Sequence, residues 1–396
     1  MTSRSASRLQ GQRRGPQRLR RLAAGAIAAL LAPGAPAVAG GLPLDRIVLP
    51  PGFSIAVYSD AVPNARELAV SPSGIVYAGS MQEGKVYAIA DPGRTGRGTV
   101  VRVIAADLDL PTGIAYRDGA LYVAAVDRIL RFDGIDATIA APPAPVVIYD
   151  RLPAKRHHGW RYLAFGPDDR LYVSIGAPCN VCEVEDPFGT IARLRPDGGG
   201  FEIVARGIRN SVGFAWHPIT KALWFTDNGR DYLGDELPSC ELDRVTQPGQ
   251  HFGFPYVHQG DLPDPEFGPG HDPKDYVAPV RKLGPHVAPL GVLFYTGTQF
   301  PAAYRGALFI AEHGSWNRSR KNGYRVMVEH LDARGGVERE ESFASGWLSG
   351  ETAWGRPVAL AELPDGSVLL SDDLAGAIYR VRYDGGGNGF AGPAAP

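Results

Sequence analysis

Arg66, the Arg209-Asn210 pair and Arg356 each stand just ahead of an apolar, strand-like run. Guanidinium groups at matching positions of a repeated unit converge on a common axis, and cations held close together repel unless an anion lies among them. The pattern predicts a site for a polyanionic ligand. For each arginine taken singly, the alternative is an ordinary loop cation paired with a nearby Asp or Glu. His157-His158 precedes another such run, and an imidazole at such a site suits proton abstraction near neutral pH. On an extended backbone adjacent side chains point to opposite faces, so no more than one of the two is expected to face the site. The alternative is a histidine bonded to a backbone carbonyl. Asp227-Asn-Gly-Arg-Asp-Tyr-Leu-Gly-Asp-Glu236 is rich in oxygen, and Gly229 permits a tight turn exposing carbonyls of the kind hard cations such as Ca²⁺ accept. It lacks the EF-hand pattern, and a turn held by Asx hydrogen bonds is the alternative.

The elements that must position these residues are repeats. Four clear copies of one theme, an apolar run, a turn built on Pro, Asp or Gly, and a second strand, start at Leu68, Ile114, Leu163 and Leu360. Two looser copies start at Phe214 and Val292, the latter continuing at Gly306-Ala-Leu-Phe-Ile310. The first four starting points in chain order are 46, 49 and 51 residues apart, a period that predicts propeller blades. The expected fold is all-β, a six-bladed β-propeller over residues 40–385 as one domain. Gly52-Phe-Ser-Ile-Ala-Val-Tyr58 alternates like a strand and is expected to close the ring against Gly376–Tyr383 of the last blade. The Pro-, Gly- and His-rich stretch from Gly249 to Asp275 is expected to lie over one end of the shaft. A second insertion, Glu312–Gly323, concentrates three cations and is expected at one mouth of the central channel.

Composition narrows the function classes. The 396 residues include 50 Gly and 34 Pro, a turn-rich profile, and the net charge of −1 excludes a basic nucleic-acid surface. Residues 1–39 order an Arg-rich start, the apolar run Leu22–Ala32 and the small-residue end Ala37-Val-Ala39, as a secretory signal does. The apolar run is shorter than the roughly 20 residues of a membrane span. Cleavage after Ala39 and export to the periplasm are expected, with no stable membrane insertion; Arg20-Arg21 leaves twin-arginine export open. Residues 386–396 are expected to be a disordered tail. Cys179-Asn-Val-Cys182 has no second CxxC and no following His, so a small disulfide is favoured over a metal or haem site, with Cys240 either free or competing for one of the pair.

Several of these motifs together carry a family resemblance: His158-Gly-Trp-Arg-Tyr-Leu-Ala-Phe-Gly-Pro-Asp168, Gly207-Ile-Arg-Asn-Ser-Val-Gly213, Thr226-Asp-Asn-Gly-Arg230 and Trp354-Gly-Arg-Pro-Val358. With Ala177-Pro-Cys-Asn-Val-Cys182 and Ala311-Glu-His-Gly-Ser-Trp-Asn-Arg318, the chain from about Leu44 to Tyr383 resembles the soluble sugar dehydrogenases that depend on pyrroloquinoline quinone (PQQ), in the L-sorbosone or aldose branch. The resemblance implies that His158 is the catalytic base, that Arg209 and Asn210 contact the quinone, and that Arg356 binds the cofactor. It places the cofactor's Ca²⁺ on the carbonyls of Gly229 and Arg230. Arg66 adds a further cation for the three carboxylates of PQQ, and Arg318 or Lys321 stands in for a family lysine. Trp354 replaces a second family arginine, and Val212 replaces the glutamine of glucose-oxidising members, so glucose is not implied. The expected partners are a small sugar and an external electron acceptor, a quinone or cytochrome. The alternatives are a calcium-dependent sugar lactonase, which needs carboxylates around its metal, and a non-catalytic propeller that binds carbohydrate or protein.

Overall fold

Alternating apolar residues on short strands bury both faces of a small sheet only if another sheet covers each face, and six sheets arranged radially achieve this. The computed structural model describes residues 41–332 and 335–385. The expected leader and tail, residues 1–39 and 386–396, lie outside the described residues. From Pro43 onward the chain is a six-bladed β-propeller; five blades are four-stranded antiparallel sheets, and blade three carries a fifth strand. Blade one runs Ala65–Val70, Val76–Ser80, Val86–Ala90 and Val100–Ala105, and blade two runs Gly113–Arg117, Ala120–Ala124, Ile129–Phe132 and Val146–Tyr149. The inner strands of the next four blades are Leu163–Phe165, Phe214–Trp216, Pro289–Phe294 and Pro357–Glu362. Every repeat read from the sequence falls on the first two strands of a blade.

The ring closes as expected. Phe53–Ser59 pairs antiparallel with Ala377–Tyr383, from Phe53 opposite Tyr383 to Ser59 opposite Ile378, so the first strand completes blade six. Phe53 then meets Phe300 edge-on at 4.8 Å and Phe343 at 4.9 Å, sealing blade five against blade six. The core lies between blades rather than at one centre. Blades one and two bury Tyr77, Leu121 and Phe132 together, and blades three and four bury Phe214, Phe225 and Ile191. Near the axis the inner strands come so close that side chains are excluded. A Cβ on Gly213 would meet the Leu290 carbonyl oxygen at 2.0 Å, which only glycine avoids.

The Gly249–Asp275 insertion departs from expectation. Its Gln250–His251 strand adds in parallel to Glu202–Arg206, a fifth strand on the outer edge of blade three, and none of the insertion lines the axial mouth. Blade four needs a fourth strand, and Arg281–Pro285, which follows the insertion, supplies it, while Phe252, Phe254 and His258 of the insertion pack behind Arg209 and Asp227.

Candidate active site

In an antiparallel blade the start of the first strand and the end of the second lie at the same end. Ala65 pairs with Ser80 in blade one and Pro357 with Asp372 in blade six, so residues just outside these pairs gather at one mouth of the channel. A cavity of about 410 Å³ opens there, large enough for a small-molecule cofactor and lined by five of the six blades, with blade two contributing nothing. Arg66, Arg209, Asn210 and Arg356 all line it, with His157 and His158 on the neighbouring wall.

Arg209 is held on every nitrogen. Its Nε donates to the Asn180 carbonyl at 2.8 Å, Nη1 to the Asn228 carbonyl at 3.1 Å, and Nη2 to Asn180 Oδ1 at 2.8 Å and Asp231 Oδ2 at 2.9 Å. Asn180 lies between Cys179 and Cys182, which form the expected disulfide, so that loop serves as the clamp on Arg209. The backbone amides of Arg209 and Asn210 donate to the two oxygens of buried Asp227, whose carboxyl burial pushes up to about 6 even though both amides and Arg209 oppose the shift. Asn210 Oδ1 is buried without a hydrogen-bond partner. Arg66 pairs through Nη1 with Asp373 Oδ2 at 2.9 Å, and His313 Nε2 meets the other oxygen of Asp373 at 2.9 Å. Burial opposes ionisation of Asp373, but His313, Arg66 and Arg356 outweigh it and hold the carboxyl below its ordinary value. Arg356 donates to the carbonyls of His313 and Gly314 at 3.0 and 2.7 Å and has no ion-pair partner among the described residues. The lining thus carries three guanidinium groups against the two carboxylates of Asp231 and Asp373. One positive charge is left over.

His158 is 8% exposed, and its Nδ1 lies 2.9 Å from the Ala177 carbonyl oxygen. A carbonyl only accepts, so Nδ1 carries the proton and Nε2 keeps its lone pair. Burial, then the charges of Arg209 and His157, lower its pKa to about 2, so the imidazole is neutral. Gly176 makes room for it, since a Cβ there would come within 2.6 Å of His158 Cβ. The one-inside expectation fails: both histidines line the cavity, their rings 4.2 Å apart. His158 has φ +48°, so the backbone here turns instead of extending, and the alternation of an extended chain does not apply.

Gly229 lines the cavity, whereas the Arg230 side chain turns outward to buried Asp264 of the insertion, which His258 also contacts at 2.8 Å. Among the described residues no hydrogen bond reaches the carbonyl of either Gly229 or Arg230, which leaves both oxygens for a hard cation. No group of three or more His, Cys, Asp or Glu able to hold a metal occurs among the described residues, and a carboxylate-bound metal of the lactonase kind lacks its ligands. Arg318 and Lys321 are not brought to the cavity. Arg318 donates to the Asp235 carbonyl at 3.1 Å and pairs with Glu236 at 2.6 Å, and exposed Lys321 reaches the Glu351 carbonyl at 2.6 Å. A carboxylate in one case and a backbone carbonyl in the other hold these cations away from the cavity. From the same insertion His313 and Trp316 line the cavity instead. Asp231, His313 and Asp373 were missed as site residues, although each follows closely on the end of a blade's second strand, a place the repeat itself marks. Cys240 is free, buried at the cavity wall and pushed up to about 11 by burial.

PQQ fits this lining. Its three carboxylates together with one Ca²⁺ leave a single negative charge against the surplus positive one, and the unpartnered Asn210 oxygen and the two unbonded carbonyls are donors of the kind a bound cation takes up.

Residues 140–315 match the family described as Glucose / Sorbosone dehydrogenase, and residues 271–384 match one described as TrAA12-like. A protein of Borreliella burgdorferi described as uncharacterized is 34% identical over 355 residues, spanning 86% of this chain and 92% of its own. A PQQ-dependent pyranose dehydrogenase of Coprinopsis cinerea is 29% identical over 127 residues, 27% of this chain and 16% of that one. Among solved structures, the calcium form of a family AA12 enzyme of Trichoderma reesei superposes with a TM-score of 0.73 at 19% identity, covering 85% of this chain and 97% of that one. The PQQ-bound aldose sugar dehydrogenase of Streptomyces coelicolor superposes with 0.60 at 19% identity, covering 85% and 99%. At these identities the structural likeness shows a shared propeller.

Proposed function

The chain belongs to the Glucose / Sorbosone dehydrogenase family, the PQQ-dependent soluble sugar dehydrogenases, and from that premise we propose that it oxidises an aldose or a sugar aldehyde such as sorbosone. PQQ with Ca²⁺ is the oxidant, and electrons pass to an external quinone or cytochrome. The observation that carries this reading is the uncompensated positive lining beside a neutral imidazole with a free Nε2. Arg66, Arg209 and Arg356 would hold the carboxylates, Asn210 would contact the ring system, and the Gly229 and Arg230 carbonyls would hold the cation. When bound, the cofactor supplies an electrophilic quinone that accepts two electrons, chemistry no side chain here possesses. His158 Nε2 takes the proton from the anomeric hydroxyl or from the hydrate of an aldehyde. Arg209, fixed on all sides, acts as a preorganised charge that need not reorient as electron density moves. An anion in the cavity offsets the repulsion of Arg209 on His158, so the imidazole accepts a proton more readily in the loaded protein than in the empty one.

The test is reconstitution: purified protein given PQQ and Ca²⁺ is assayed with a dye acceptor across aldoses and aldehydes, then stripped of calcium by chelation. Activity should vanish on chelation and return when both are restored. Turnover that survives thorough chelation would overturn the calcium assignment, and no turnover with any sugar would overturn the reading as a whole. We further infer export to the periplasm with cleavage after Ala39, supported by the order of charged, apolar and small residues in the leader. Sequencing the amino terminus of the secreted protein checks it.

A further inference from the structure

Among the large hydrophobic side chains exposed in the described residues only two are aromatic, Tyr232 at 68% and Trp316 at 66%, and they meet. Their ring centroids are 6.1 Å apart with planes at 90°, which makes an open corner. Trp316 lines the catalytic cavity from blade five, and Tyr232 follows Asp231, a lining residue of blade four, so the corner stands at the cavity's outer rim. Tyr232 has φ +68°, a conformation that a side chain with a Cβ rarely adopts. The corner is also braced. Arg318 donates to the Asp235 carbonyl and pairs with Glu236, the Ser319 amide donates to Asp235 Oδ1 at 2.9 Å, and His286 Nε2 donates to the Gly234 carbonyl at 2.8 Å. Two loops tied together hold out two aromatic rings that do not cover the core, Trp316 at the cavity wall and Tyr232 beyond it.

We propose that Tyr232 and Trp316 form a stacking subsite for a second sugar ring, so that the preferred substrate is the reducing end of a disaccharide or longer saccharide. This rests on the sugar-dehydrogenase reading above. A pyranose presents a flat face of C–H bonds, apolar and slightly positive, which matches the negative face of an aromatic ring. Its hydroxyl rim needs polar partners, and the two loops that carry the corner supply the Arg318–Glu236 pair and Asp235. A macromolecular partner would need a far wider apolar area than two rings. A single pyranose that fills the inner cavity gains nothing from this corner, whereas a ring joined to it projects outward onto the aromatics.

The experiment uses the full chain reconstituted with PQQ and Ca²⁺, with glucose set against cellobiose and maltose, and xylose against xylobiose. For Tyr232→Ala and Trp316→Ala the ratio of disaccharide to monosaccharide kcat/KM should fall about tenfold, mainly through KM, and Trp316→Phe should restore most of it. A ratio unchanged within about twofold overturns the subsite. A change confined to the KM of the electron acceptor also overturns it, because the corner would then serve the acceptor. A second readout needs no turnover: the fluorescence of Trp316, taken as the difference from Trp316→Phe, should shift on titration with disaccharide and hardly at all with monosaccharide. No shift at saturating disaccharide overturns the proposal. If the unmutated protein oxidises no sugar yet the fluorescence shifts, the subsite stands and the dehydrogenase reading falls.

Discussion

At the scale of single residues, the proposed function assigns binding and proton transfer to different side chains. Removing the imidazole but keeping its size and polarity, as in His158→Gln, should leave the spectral titration with PQQ nearly unchanged and lower kcat by at least about a hundredfold. Arg356→Ala should do the reverse, weakening PQQ affinity by about tenfold or more, since among the described residues its guanidinium makes no ion pair of its own. Equal losses of affinity and turnover in both variants would argue against the division. The buried histidines also set a pH dependence. His158 and His313 are lowered to about 2 and about 4, in both cases chiefly by burial. Below about pH 6.5 the unfolded chain protonates them and the folded chain does not, so their contribution to stability is lost as pH falls, by about 1 kcal/mol per pH unit for each. Buried acids such as Asp227 and Asp372, raised to about 6, act in the opposite sense. The difference between the protein and His158→Gln isolates one histidine. Denaturant midpoints from pH 7 to 5 should fall less steeply in the variant, and parallel curves would refute the assignment.

At the scale of elements, what the sequence made legible was periodic and what it hid was conformational. The repeats starting at Leu68, Ile114, Leu163 and Leu360 sit on strand pairs because a two-residue alternation joined by a tight turn has one geometry. Arg66, Arg209 and Arg356 are legible because each stands at, or a few residues ahead of, the start of a blade's first strand. Arg318 and Lys321 lie away from the cavity because an insertion has no periodicity, and the groups that hold them, the Glu236 carboxylate and the Glu351 backbone carbonyl, come from other loops. The paired histidines were misjudged because a left-handed turn at His158 leaves no trace in the residue types. Inner strands carry a constraint of their own. Gly213→Ala would drive a methyl group into the backbone of blade five, and we expect a loss of about 1–3 kcal/mol, read as a drop of several degrees in Tm. The clamp on Arg209 is likewise a loop property. Replacing Cys179 and Cys182 together with serine should loosen Asn180 and weaken PQQ binding more than it lowers global stability, as titration and thermal melts on one sample can show.

At the scale of the whole molecule, function belongs to no single blade. Arg66 comes from blade one, Arg209 from blade four and Arg356 from blade six, and the cavity exists only where they converge. Ligands that bind the folded ring alone should therefore stabilise all of it: PQQ with Ca²⁺ should raise the Tm of the complete propeller in proportion to the logarithm of its concentration. A transition that splits, with part of the melt unmoved, would mean that the blades do not respond as one.

The pairing of Phe53–Ser59 with Ala377–Tyr383 sets a timetable for biogenesis. The intervening blades can stack in chain order, but the sixth sheet is complete only when Ala377–Tyr383 finds Phe53–Ser59. Until that meeting Arg66 and Arg356 have no common pocket to face. On the function proposed above, cofactor binding would wait for that closure, and a fragment lacking Ala377–Tyr383 would bind no quinone.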